Sequence, residues 1–112
     1  MNSRHDYVVV TTTLDDAGRA RELAAQLVET RLAACVQRLP VASTYRWQGA
    51  IESADEILLQ AKTTAARADA AVQYIAAHHP YDTPEIIVTP ITGGSAPYMA
   101  WLTAETAPQG AA

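Results

Sequence analysis

Phenylalanine is absent from these 112 residues, and aromatic side chains make up only 6% of them. Val, Ile, Leu and Ala must therefore fill any core. A core so thin in large side chains gains from further surface buried between subunits. Cysteine occurs once, at Cys35, which excludes an intrachain disulfide and gives no sign of an oxidising compartment. Basic residues are in the minority, with a formal net charge of −4. Nucleic acid and anionic membranes select clustered Lys and Arg, so neither is an expected partner. No apolar run is long enough to span a bilayer, and Met1–Asp6 is polar where a secretory leader would be apolar. A soluble, cytoplasmic protein is expected. A Gly-rich phosphate loop, Gly-x-Ser-x-Gly, Cys-x-x-Cys and His-Glu-x-x-His are all missing. No catalytic class gains support, and a non-enzymatic role is expected.

What is present suits a globular fold. Hydrophobic residues reach 49%, and the length fits one domain, expected over residues 6–104 with flexible ends at 1–5 and 105–112. The elements read as βαββαβ with a short C-terminal helix. Tyr7–Thr12 is β-branched and nearly continuous, as in a central strand. Leu14-Asp15-Asp16 starts a helix in which Ala20, Leu23, Ala24, Leu27 and Val28 recur at helical spacing. Pro40 marks an edge strand or a bulge. Val41, Ser43, Tyr45 and Trp47 alternate with smaller or polar residues, and Gln48-Gly49 turns the chain with Gly49 at positive φ. A second strand runs from Ala50 to Thr63, with a possible interruption at Ser53-Ala54-Asp55. So long a hairpin is poorly stable alone and suggests pairing with another subunit. Thr64 caps a second helix with Ala68, Ala71, Val72 and Ile75 on its inner face, and Pro80 stops it. Glu85–Thr89 is a last core strand ended by Pro90, and Ser95–Ala104 a short helix. Together these give an α+β, ferredoxin-like sandwich: a four-stranded antiparallel sheet with both main helices on one face. The other face is left bare for oligomerisation to cover.

Few residues carry chemistry. His78 and His79 are metal-ligand types, yet adjacent side chains diverge on a helix or a strand. A metal site there needs a third group. The alternative is a polar helix end, with an imidazole on terminal carbonyls. Cys35, between Ala34 and Val36, reads as core. Lys62, at the end of a central strand, and Glu85, opening another, form a looser group with Tyr81 and Trp101. They either line a cleft between subunits for a small polar ligand or make a structural ion pair at a seam. Trp47, near the hairpin tip, reads as an interface anchor.

Four ordered blocks carry a resemblance. They are Arg31–Val36 (RLAACV), Tyr45–Glu52 (YRWQGAIE), Leu58–Thr64 (LLQAKTT) and His79–Ile87 (HPYDTPEII). The chain resembles the CutA divalent-cation-tolerance proteins from Tyr7 to Leu102. The resemblance implies a homotrimer whose arms complete the sheets of neighbouring subunits, PII-like in architecture. It implies a role in tolerance to copper and other divalent metals. Copper would be a weakly held ligand not required for folding. His78 and His79 match the family's paired histidines. Thr12 stands where a metal-associated cysteine is found, a hard oxygen in place of a soft thiolate. A PII-like signalling trimer binding a small polar ligand between subunits is the alternative.

Overall fold

A computed structural model describes residues 6–108. The elements run β1 (Tyr7–Leu14), α1 (Ala17–Glu29), β2 (Cys35–Trp47), β3 (Ala50–Thr64), α2 (Ala65–His78), β4 (Ile86–Ile91) and α3 (Ala96–Glu105). The sheet order is β2-β3-β1-β4 with antiparallel neighbours throughout. This is the expected ferredoxin-like arrangement. Along β1, Val8, Val10 and Thr12 are buried under the helices, while Tyr7, Val9 and Thr11 face the other way. Leu59 and Ala61 of β3 join Leu23 and Leu27 of α1 and Ala71 and Ile75 of α2 in the core. Leu14, Leu27, Leu59 and Ile75 are fully buried, and each contributes roughly 1.5–3 kcal/mol of hydrophobic stabilisation.

The local signals explain most boundaries. Asp16 adopts an extended backbone and its Oδ1 accepts the Arg19 N–H at 2.9 Å, capping α1. Thr64 holds the matching position before α2, but its hydroxyl makes no capping bond. The Ala65 N–H instead donates to the Asp6 carbonyl at 2.7 Å. Gln48 (φ 49°) and Gly49 (φ 83°) both lie in the left-handed region, as a two-residue type I′ hairpin turn requires.

Five expectations need correction. The strand β3 is continuous through Ser53-Ala54-Asp55, because each pairs in register with Ala42–Thr44 of β2. The strand β4 lies at the sheet edge, Glu85 precedes it, and it runs through Pro90. An edge strand accommodates Pro because the missing N–H has no second partner strand to serve. Val28 of α1 is exposed rather than inward. The second sheet face is not bare: α3 lies on it, where Tyr7 Oη meets Thr103 Oγ1 at 2.7 Å and Lys62 Nζ sits 5.6 Å above the Tyr98 ring. The folded body also passes residue 104, since Thr106 is only 2% exposed and donates to the Leu102 carbonyl at 2.9 Å. Of the flexible ends expected at 1–5 and 105–112, residues 1–5 and 109–112 lie outside the described residues.

Residues 41–47 and 50–56 pair only with each other, beyond the last partner that β1 offers β3 at Ile57. This two-stranded arm projects about 20 Å past the sheet and accounts for the 49 Å long axis. Trp47 is 50% exposed and Ile51 is 64% exposed. Both sit on an arm its own chain does not cover.

Candidate functional site

The end of α2 decides the geometry of the paired histidines. Pro80 disfavours helical backbone at the residue before it, so His79 is extended at φ −83° and ψ 139° while His78 remains the last helical residue. The two rings therefore leave the chain in different directions. His78 turns back along its helix. Its Nδ1 lies 2.8 Å from the Tyr74 carbonyl. A carbonyl only accepts, so Nδ1 carries a proton; in the neutral imidazole this leaves the lone pair on Nε2. The ring stacks on Tyr74, with centroids 4.0 Å apart.

His79 turns toward β1. Its Nε2 lies 2.9 Å from the Thr13 carbonyl and donates to it. Its Nδ1 accepts the Tyr81 backbone N–H at 3.1 Å. Both ring nitrogens are thereby occupied, which requires the neutral imidazole. Burial lowers the His79 pKa below its usual 6.5, outweighing the Thr13 hydrogen bond and the charges of Glu56 and Asp15. Tyr81 continues the chain of contacts: its hydroxyl donates to Glu56 Oε2 at 2.9 Å, and its ring packs edge-on against His79. Burial first, then the Glu56 hydrogen bond and charge, raise the Tyr81 pKa. Glu56, only 9% exposed, also borders an open hollow of about 470 Å³ at the root of the arm, together with Asp15 and Asp55.

A smaller cavity, about 160 Å³, lies between α1 and the end of α2 and is lined by His78, Arg19, Glu22 and Gln26 over Leu14, Leu23 and Pro80. Tyr74 organises it twice. Its carbonyl fixes the His78 tautomer, and its hydroxyl donates to Gln26 Oε1 at 3.1 Å. Among the described residues no three His, Cys, Asp or Glu side chains converge closely enough to hold a metal ion by themselves. Thr12 is 1% exposed and lies on the helix-facing side of the sheet, its hydroxyl without a partner.

The four residues read as a ligand cleft divide into separate places within one chain. Lys62 and Trp101 gather at Tyr98, whose ring lies 5.5 Å from that of Trp101. Tyr81 meets Glu56, six residues along β3 from Lys62 and thus about 20 Å away. Glu85 is exposed before β4 and has no ion-pair partner among the described residues. Cys35 pairs with Lys62 and is half-buried, not enclosed in the core. Tyr74, Glu56 and Gln26 were not singled out from sequence. The spacing of Tyr74 four residues before His78 is the one local signal that pointed to its role.

The model of the CutA1 divalent ion tolerance protein family matches residues 8–105. The chain belongs to the CutA family of divalent-cation tolerance proteins. A relative from Pectobacterium atrosepticum, the divalent-cation tolerance protein CutA, is 43% identical over 100 residues, covering 88% of this chain and 91% of its own length. The crystal structure of CutA from Xylella fastidiosa superposes with a TM-score of 0.88 at 41% identity, covering 91% of this chain and 99% of that one. CutA from Archaeoglobus fulgidus, described as a periplasmic divalent cation tolerance protein, gives 0.88 at 30% identity and covers 90% and 99%. Among the described residues no helix is long and apolar enough to cross a membrane. The CutA resemblance and the α+β fold stand on these matches together with the sheet order.

Proposed function

We propose that this CutA chain is a trimeric, non-enzymatic metal-tolerance protein that binds divalent copper weakly, with His78 as the principal ligand. The observation that carries this reading is the orientation of His78, whose Nδ1 is held by the Tyr74 carbonyl and whose ring stacks on Tyr74 at a cavity that Glu22 also lines. Neutral imidazole and carboxylate are ligand types that copper(II) accepts. Two donors hold an ion less firmly than a closed site, which fits a protein that meets metal without depending on it for folding. His79 contributes indirectly, fixing the segment that follows α2. The trimer reading is supported by the uncovered arm with Trp47 and Ile51 at its outer end. Lys62 and Trp101 lie apart from Tyr81 and Glu85 within one chain, so a shared ligand would bridge two subunits of such a trimer. A cytosolic location is supported by the single thiol.

Titration calorimetry with copper(II) tests the assignment. His78→Ala is expected to remove most of the binding. His79→Ala is expected to keep it while lowering stability. Equal copper affinity in wild type and His78→Ala would sink the proposal.

A further inference from the structure

We infer that the hydrogen-bonded series Thr13–His79–Tyr81–Glu56 is a brace that fixes the direction of the β2–β3 arm against the body of the subunit. Every contact in it lies within one chain, so it depends on neither the metal nor the trimer reading.

The arm lacks the usual means of holding an angle. A strand inside a sheet is aimed by a neighbour on each side. β3 has its last β1 partner at Ile57, opposite Leu14, and from Glu56 outward it pairs with β2 alone. A two-stranded ribbon is marginally stable by itself. Nor does the body fill the angle behind it. The open hollow of about 470 Å³ separates the arm root, at Pro40–Ala42 and Asp55–Ile57, from Asp15 and from Ala17 at the start of α1. Among the described residues, Tyr81 Oη to Glu56 Oε2 is the one side-chain hydrogen bond that joins the arm to the rest of the chain, and no ion pair does so.

Both ends of that bond are held. Glu56 is the first residue of β3 beyond the support of β1, and it is 9% exposed. Tyr81 sits in a segment, His79–Glu85, that belongs to no helix or strand, yet Pro80 and Pro84 restrict its backbone. The Tyr81 N–H donates to His79 Nδ1, and His79 Nε2 donates to the Thr13 carbonyl near the end of β1. The two rings pack edge-on, with centroids 4.7 Å apart. The end of β1 is thus tied, through two side chains, to the point where β1 stops supporting β3.

The chemistry at position 56 agrees. An enclosed carboxylate without an ion-pair partner is a poor source of stability, because one hydroxyl does not offset its lost hydration. An apolar side chain would serve the core better. What the carboxylate adds is a strong, directional acceptor at one place.

Amide hydrogen exchange on the full chain tests the brace, at a concentration where sedimentation gives the same species for every variant. Tyr81→Phe keeps the ring and loses the donor. Amides at the arm root, around Val41 and Glu56, should then exchange about tenfold faster or more, the worth of one hydrogen bond to a carboxylate. Amides around Val10 and Ala61, in the buried part of the sheet, should keep their rates. Glu56→Gln should stay close to the wild type, because its amide oxygen accepts from the same hydroxyl. The double variant Tyr81→Phe/Glu56→Gln should again exchange fast at the root, although it encloses no unpaired charge. Unchanged root exchange in Tyr81→Phe, or equal acceleration at root and core, would overturn the brace. So would a Glu56→Gln root as loose as that of Tyr81→Phe, or slow root exchange in the double variant.

Discussion

His79 shows how two hydrogen bonds define a protonation state. Thr13 offers only an acceptor and Tyr81 only a donor, so the ring fits between them as the neutral Nε2–H tautomer. Protonation would set two donors facing each other at Nδ1. The folded-state pKa is lowered by burial, whereas the unfolded chain titrates near 6.5. Above pH 6.5 neither state takes up the proton and the contribution is complete. As pH falls below 6.5 the unfolded state binds it first, and stability declines. Urea denaturation at pH 7.5 and pH 5.5 should show this loss, and His79→Gln should flatten the dependence. Thr12 supplies a second residue-scale test. Its hydroxyl is buried without a partner, and an unsatisfied buried hydroxyl costs free energy that a methyl group does not. Thr12→Val should raise stability by about 1 kcal/mol, read from the urea midpoint. Unchanged or lower stability would mean that the hydroxyl finds a partner.

At the scale of elements, Pro80 and the hairpin turn do the most positioning. Pro80 ends α2 and separates the two histidines, a consequence open to anyone reading His-His-Pro once the helix is placed. The sequence also made the α1 cap, the inner faces of both main helices (Val28 excepted) and the Gln48-Gly49 turn legible. Each of these rests on contacts within a few residues. What escaped was non-local. Ser53-Ala54-Asp55 looks like a break until paired with Ala42–Thr44. Glu85 and Pro90 mislead because edge and central strands differ only in their neighbours. The Tyr81–Glu56 bond spans 25 residues, and no spacing rule reaches that far. The turn itself is open to measurement. Gly49 has φ 83° with open space around its Cα, so the effect of a side chain there is conformational and not steric crowding. Gly49→Ala should destabilise by about 1–2 kcal/mol, and Gln48→Asn should be neutral or stabilising, because Asn tolerates this region better than Gln.

The whole molecule is a small body with an arm longer than its sheet needs. Apolar side chains on the arm and on the sheet face that carries α3 are exposed in the single chain, among them Leu39, Tyr45, Trp47, Ile51 and Ile87. Sedimentation equilibrium should report a trimer, and Trp47→Ala should shift it toward smaller species as protein concentration falls. A wild-type monomer at micromolar concentration would remove the interface role given to the arm. The metal site proposed here lies elsewhere, in the groove between α1 and α2. It should keep its copper affinity in any variant that weakens assembly without unfolding the subunit.

One histidine of the pair keeps a ring nitrogen without a protein partner, and its neighbour has both engaged. Long-range proton–nitrogen spectra of the imidazole rings at neutral pH read this directly. His78 should show the Nδ1–H tautomer and His79 the Nε2–H tautomer. Substoichiometric zinc(II), a diamagnetic stand-in for copper, should move the nitrogen shift of His78 Nε2 and leave both His79 ring nitrogens in place. Displacement of both rings' shifts, or a His79 ring that exchanges tautomers freely, would contradict the account.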